Sequence, residues 1–283
     1  MGAEPRRAQA GDSRRVNLFK LYLKLISARV RSQMQYRASF LLDVLSSGFL
    51  NVIDLIALAA ALTRFGSVGG WTFGELAFVY GLSDSAFAAM DMIFSGFDPG
   101  YFGQQIRKGQ FDQFLLRPLS LILQMFSAEF IMRRVGRIAQ SLLAFGLGLA
   151  LSHIDWTWAK LAYLPLVWVS AVAFYGALFV IGATFCFWTT ESIEIINVFT
   201  YGGTTMMSYP LHIYQEWMQR FFTFVIPTAL IIYYPALYFF GKADPTGLLP
   251  IAQFVAPVAG FGMLAIAFGV WRIGVRHYQG TGT

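Results

Sequence analysis

The chain has 283 residues, 57% apolar and only 13% charged, with a mean hydropathy of +0.56. A water-soluble domain carries about 25% charged and about 45–50% apolar residues. An ordinary soluble enzyme, a disordered chain and a disulfide scaffold are therefore excluded, and a single multi-pass membrane domain is indicated. The net charge of +6 is uneven: residues 1–37 hold nine Lys/Arg against two acids, whereas residues 38–283 hold twelve against thirteen. Basic residues abutting an apolar span set membrane orientation, so the basic balance needs no nucleic acid. The single Cys186 rules out an internal disulfide and a Cys-based metal site.

Residues 1–15 read as a flexible basic tail. Ser13-Arg14-Arg15 has the outline of a twin-arginine export signal, but Lys20, Lys24, Arg29 and Arg31 follow where that signal needs an apolar run. From 16 to 37, Phe19, Tyr22, Ile26 and Val30 recur at helical steps among basic residues. This pattern predicts a helix lying in the interface plane. A plain juxtamembrane basic stretch would give a similar pattern.

A crossing helix needs ~20 mostly apolar residues. Residues 40–62 and 76–97 qualify. The stretch 138–151 is short and is expected to begin near Arg133, Arg134 and Arg137, whose long side chains can snorkel. Residues 161–190 are uncharged throughout, 195–209 are weaker, 221–240 contain Pro227 and Pro235, and 250–271 form the last apolar stretch. Both termini are basic and want the cytoplasm, which demands an even number of crossings. The segment with two prolines and the Tyr233-Tyr234 pair is the one expected not to cross. It would enter and leave on the outer side, which is allowed only where protein or water covers the backbone. The expected fold is an all-α polytopic membrane protein. It has an N-terminal interfacial helix at 16–37, six transmembrane helices within 38–276, an inner loop at about 98–120 and an outer re-entrant helical hairpin at about 210–245. A short cytoplasmic tail occupies 277–283.

Few residues suggest chemistry. The only Gly-Lys pair, Gly241-Lys242, is followed by Ala243, so no phosphate-cradling G-x-x-x-x-G-K-[ST] loop is present. Gly81-Leu82-Ser83 has the Gly-x-Ser form of an intramembrane serine protease, but that chemistry needs a histidine within reach. His153, His212 and His277 fall at the expected span ends. An acid at mid-bilayer costs ~2.5–3.5 kcal/mol on the insertion scale and should face protein or water. Asp43 and Asp54 share one helical face, and Asp84 and Asp91 share another. Asp54, Asp84 and Asp91 could line a translocation path, or the acids could serve helix–helix hydrogen bonding and capping. Both readings stand on sequence alone. The path reading would suit an ATP-independent secondary transporter or channel.

The inner loop combines Ile106, Phe111, Phe114 and Leu115 with Arg107, Lys108, Gln110, Asp112 and Gln113 before Arg117-Pro118. A short amphipathic helix there would serve as a docking knob for a soluble partner, or as a connector hugging the membrane. The segment from Ile106-Arg107-Lys108-Gly109 through Phe111-Asp112, Phe114-Leu115-Leu116-Arg117-Pro118 to Ser120 is similar to a segment of ABC type-2 permeases, in a subgroup of bacterial ATP-binding-cassette exporters. Tyr209-Pro210-Leu211, Ile213-Tyr214 and Trp217 are similar to a second stretch, with Gln215 where the family usually has proline. Phe224-Val225-Ile226-Pro227, Tyr233-Tyr234-Pro235 and Gln35-Tyr36-Arg37 also fit.

The resemblance implies a non-catalytic half-transporter in the bacterial inner membrane, with both termini cytoplasmic. Two permeases, identical or sister subunits, would sit over two copies of a cytoplasmic ATPase. ATP and magnesium would belong to that ATPase, with no cofactor on this chain. It also implies that Ile106, Arg107, Lys108, Gly109, Phe111, Asp112, Phe114, Arg117 and Pro118 form the ATPase-coupling element, with Phe111 filling an apolar groove of the partner. Tyr209, Pro210, Pro227, Tyr233, Tyr234 and Pro235 would shape the outer hairpin. The aromatic content would suit a lipid-like or amphipathic cargo, although aromatic residues also gather at membrane interfaces and against lipid.

Overall fold

The computed structural model describes residues 67–129, 133–189, 198–207 and 209–279, with Ser27, Leu42 and Ile56 as single positions before them. Apart from those positions, the expected interfacial helix at 16–37 and first span at 40–62, with Asp43 and Asp54, lie outside the described residues. Among the described residues there are helices and turns and no strand.

Helix α1 (Phe73–Ile93) follows a turn in which Val68 and Trp71 exchange backbone hydrogen bonds of 3.2 and 3.0 Å. Gly69 and Gly70 hold positive φ there, which side-chain-bearing residues rarely adopt. The Glu75 carboxylate accepts the Thr72 amide at 2.7 Å, satisfying a donor at the helix start. Nearly all of α1 is buried, Ser83, Asp84, Ser85 and Asp91 included.

At the far end of α1 a 3-10 turn (Ser95–Phe97) leads into α2 (Pro99–Arg107), α3 (Phe111–Leu115) and α4 (Leu121–Ala128). Asp98 caps α2 by accepting the Tyr101 amide at 2.9 Å, and Pro99 suits its first position, where no amide hydrogen is required. Gly109, at φ 63°, lets the chain turn between α2 and α3.

Helix α5 (Arg133–Leu151) returns antiparallel to α1. Gly74 meets the Leu151 backbone, Gly81 meets Phe145, and Gly148 meets Phe78, each so closely that a Cβ would collide. Small residues let helix backbones approach in this way. Gly148→Val is expected to lower stability by about 1–3 kcal/mol through overpacking, read as the unfolding midpoint of the detergent-solubilised protein.

Helix α6 (Trp158–Thr189) has 32 residues, ~48 Å at 1.5 Å per residue. It runs parallel to α1 and to the last helix of the chain (Ala256–His277). A π turn (Val198–Gly202) and α7 (Gly203–Met206) follow. The chain then forms a 3-10 turn (Leu211–Ile213), α8 (Glu216–Arg220) with its π-helical extension Phe221–Val225, α9 (Thr228–Ile231) and α10 (Tyr233–Phe240).

The stretches Glu216–Val225 and Thr228–Phe240 meet at 70°. Pro227 marks the bend. Pro235 lies in the first turn of α10, where an amide lacks an intrahelical acceptor anyway. His212 Nε2 lies 2.9 Å from the Gly69 carbonyl oxygen. Lys242 donates to the Gly70 carbonyl at 2.9 Å and pairs with Glu75 at 3.0 Å. The 70° bend thus belongs to a segment that starts and ends beside one turn.

After a 3-10 turn (Pro250–Phe254), α11 (Ala256–His277) completes the bundle. Its Gly260 rests on the Ser170 carbonyl and its Gly274 on Thr184 of α6. Among the described residues α1, α6 and α11 are long and apolar enough to cross a membrane, with the bent pair as a fourth if counted as one span. On α11, Val258, Phe261, Ile266 and Ile273 are exposed, as suits a helix facing lipid. The bundle has two poles: a loop pole at α2–α4 and a hairpin pole at residues 209–254.

Candidate coupling site

Helices α2 and α3 are amphipathic, and the structure decides which face turns inward. Phe102, Ile106 and Phe111 are buried. The Phe111 ring lies 5.5 Å from Phe102, 5.2 Å from Phe187 on α6 and 4.9 Å from Tyr278 just after α11. Trp271 of α11 joins the cluster at 5.4 Å from Phe102 and 5.2 Å from Phe187. Most of these pairs meet edge-on, the arrangement favoured by ring quadrupoles. In this structure the Phe111 ring fills a groove built by its own chain, where the sequence reading had it fill a groove of the partner. Ile106 is turned inward in the same way.

The opposite face carries Arg107, Lys108, Gln110, Gln113, Leu115, Leu116, Arg117 and Pro118, all exposed. Leu116 is the apolar extreme at 85% exposure. Arg117 lies over the Phe114 ring at 5.4 Å, and the Gln124 amide donates to the Phe114 and Leu119 carbonyls at 2.9 and 3.0 Å. These bonds fix the end of the loop. Asp112, half-buried, neighbours the Tyr278 hydroxyl. Burial, helped by Asp112, pushes that phenol up to about 12.

Asp84 and Asp91 point to one helix, α5. Arg137 Nη2 lies 2.9 Å from Asp84 Oδ1, and Arg134 Nε lies 3.0 Å from Asp91 Oδ2. Arg134 also donates to the Asp91 carbonyl at 2.8 Å, and the Arg137 guanidinium lies 5.0 Å from the Phe87 ring centre. Arg134 and Arg137 thus pair inward, where sequence had them snorkelling. Asp54, the third expected path residue, lies outside the described residues. Ser83 Oγ lies 3.1 Å from the Tyr175 hydroxyl, and Trp168 Nε1 donates to Ser85 at 3.0 Å. Ser83 therefore has a tyrosine for a partner, while His212 and His277 bond at the two poles. Among the described residues no cluster of His, Cys, Asp and Glu could hold a metal.

The sequence profile of the ABC-2 family transporter proteins matches residues 49–282. The chain belongs to this family. No curated protein and no solved structure matches the chain. ABC-2 permeases are membrane subunits of ABC transporters, generally non-catalytic, and they associate with an ABC ATPase. With its apolar helices, this permease is a multi-pass membrane protein.

Within this ABC-2 permease the remaining expected site residues are at the hairpin pole. Tyr209 is exposed and Pro210 buried. Tyr233 and Tyr234 are buried, and the Tyr234 hydroxyl lies 2.8 Å from Thr246 Oγ1. Sequence reasoning passed over the Glu75–Lys242 pair and the two arginine partners of α5. Acids in one apolar stretch and bases at the start of the next were the available signal.

Proposed function

We propose that this ABC-2 permease is half of the membrane part of an exporter in a bacterial inner membrane, driven by two copies of a separate ATPase that holds ATP and magnesium. The second half is an identical or sister permease, and the cargo is amphipathic or lipid-like. The observation that carries the reading is the two-faced loop pole. One face of α2–α3 is seated on α6 and α11 through Phe111. The other presents Leu115, Leu116, Arg107, Lys108 and Arg117 to a partner. An apolar centre ringed by cations suits a soluble partner that supplies an apolar pocket and acidic rim, with the charges setting register.

ATP binding favours the closed ATPase dimer, and the permease follows by a shift in population. The buried aromatic cluster passes that displacement to α6 and α11. The topology in this reading has six crossings and both termini in the cytoplasm. The shared anchorage of His212 and Lys242 at Gly69–Gly70 supports a re-entrant hairpin, and the length of α5 beside α1 supports a crossing there.

The test is Leu116→Glu combined with Lys108→Glu. Both sites are exposed, so folding should be unaffected, whereas losing a hot-spot residue of an interface costs ~2 kcal/mol or more. Recovery of ATPase with the tagged permease, weighed by native mass spectrometry, is expected to fall about thirtyfold. Unchanged recovery and unchanged coupled ATP turnover would show that the ATPase docks elsewhere.

A further inference from the structure

The hairpin pole contains a cleft that the coupling reading does not use. A cavity of about 600 Å³ is lined by His212, Gln219, Arg220, Thr223, Tyr234 and Thr246, with Phe224 and Leu248 at its apolar side. A shallow, open depression of about 590 Å³ runs along Trp217, Phe221, Phe224 and Val225. The two share Glu216, Arg220 and Phe224, so they form one cleft with a polar chamber and an apolar shelf. Each is within the ~300–1,000 Å³ typical of ligand sites.

The shelf follows from helical spacing. Trp217, Phe221 and Phe224–Val225 fall on one stripe of α8 and its extension. Trp217, Phe224 and Val225 are 63, 67 and 63% exposed. The chamber wall is held by its own bonds. Gln219 donates to the Tyr214 carbonyl at 2.7 Å, Tyr234 meets Thr246, and Thr246 meets Asp244 at 2.7 Å. At the junction Arg220 and Glu216 pair at 3.2 Å with side chains 75 and 83% exposed. Such an exposed pair is worth ~0–1 kcal/mol, so a ligand opens it at little cost.

We infer that this cleft binds a zwitterionic amphiphile. Its anionic group goes to Arg220, its ammonium to Glu216, and its hydrocarbon chain lies on Trp217, Phe224 and Val225. The charge balance selects the head. Arg220 and Glu216 are the lining residues of opposite charge, so a purely anionic head is repelled by Glu216 and an uncharged one leaves the ion pair unused. A tryptophan on the shelf suits the depth of lipid headgroups, where indole rings collect. The inference concerns binding at the hairpin pole and stands apart from ATPase docking at the loop pole.

The experiment titrates the full-length permease in detergent with three lipids of matched chains: phosphatidylcholine, phosphatidylglycerol and diacylglycerol. Native mass spectrometry reads the retained adducts. Wild type is expected to prefer phosphatidylcholine about tenfold over either competitor, a difference of ~1.4 kcal/mol. Glu216→Gln with Arg220→Gln, which keeps the net charge, should abolish the preference. Phe224→Ser, at an exposed position, should weaken all three lipids together. Equal retention of the three by wild type, or a preference that survives the double change, would overturn the inference and leave ordinary annular lipid. Vesicles containing the ATPase then separate two sources of the same chemistry. Binding without ATP-dependent movement of labelled phosphatidylcholine identifies a resident bilayer lipid, and movement identifies cargo; both uphold the cleft.

Discussion

Arg137→Met is expected to destabilise the permease by about 3 kcal/mol, the lower end of the range for breaking a buried ion pair. The lower end applies because the Arg137 side chain keeps 28% exposure, against 8% for Asp84. The change strips Asp84 Oδ1 of its partner at 2.9 Å. Asp84 Oδ2 is already buried without a hydrogen bond among the described residues, so an ionised carboxylate would be left in an apolar interface. Adding Asp84→Leu removes that charge and should recover most of the loss, since a buried pair replaced by apolar residues of similar volume is often near neutral. Unfolding of the single and double variants in detergent checks this.

The same pair of variants decides between the two readings of these acids. If Asp84 serves only to join α1 to α5, the double variant regains transport along with stability. If it lines a translocation path, the double variant is stable and inactive. Recovery of neither would mean that the pair is needed for the helices to meet at all.

What sequence alone revealed depended on whether a property was local. The expected spans at 76–97 and 161–190 lie close to α1 and α6 because an apolar run with few charges specifies a buried helix by itself. The extension of 138–151 back to Arg133 was also legible, from length alone. The identity of the partner of each charged side chain was not. Asp84 and Asp91 are seven residues apart on α1, ~10 Å along the axis, whereas Arg137 and Arg134 are three apart on α5, ~4.5 Å. The long arginine side chains take up the difference, so spacing on one helix does not predict spacing on the other. The inward face of the aromatic loop was not legible for a related reason. Amphipathic periodicity gives an apolar face, but it does not say whether that face turns to its own bundle or to another protein. Phe111 turned inward because Phe187 and Tyr278, far along the chain, meet its ring, and Trp271 meets Phe102 beside it. Leu116 lies outside the stripe and took the exposed position.

Phe111→Ala is the change with the widest expected consequences. Truncating a fully buried phenylalanine costs about 3–5 kcal/mol through lost transfer energy and the cavity left behind. Here the cavity would open between the loop, α6 and α11, because Phe111 touches Phe102, Phe187 and Tyr278 at once. The loss should be largely local. α1 and α5 are held together by glycine contacts and ion pairs that this ring does not touch. The exposed face around Leu116 can then still meet the ATPase while its movement no longer reaches the spans. The expected phenotype is a complex that assembles and hydrolyses ATP with its transport in vesicles largely abolished, and Phe111→Leu, which refills much of the volume, should restore part of it. Leu116→Ala is the mirror image. At an exposed position it should leave stability within about 0.5 kcal/mol while weakening recovery of the ATPase. If Phe111→Ala instead lost the ATPase and kept a normal unfolding midpoint, the ring would be a contact residue after all, and the inward face of the loop would have to turn outward when the partner binds.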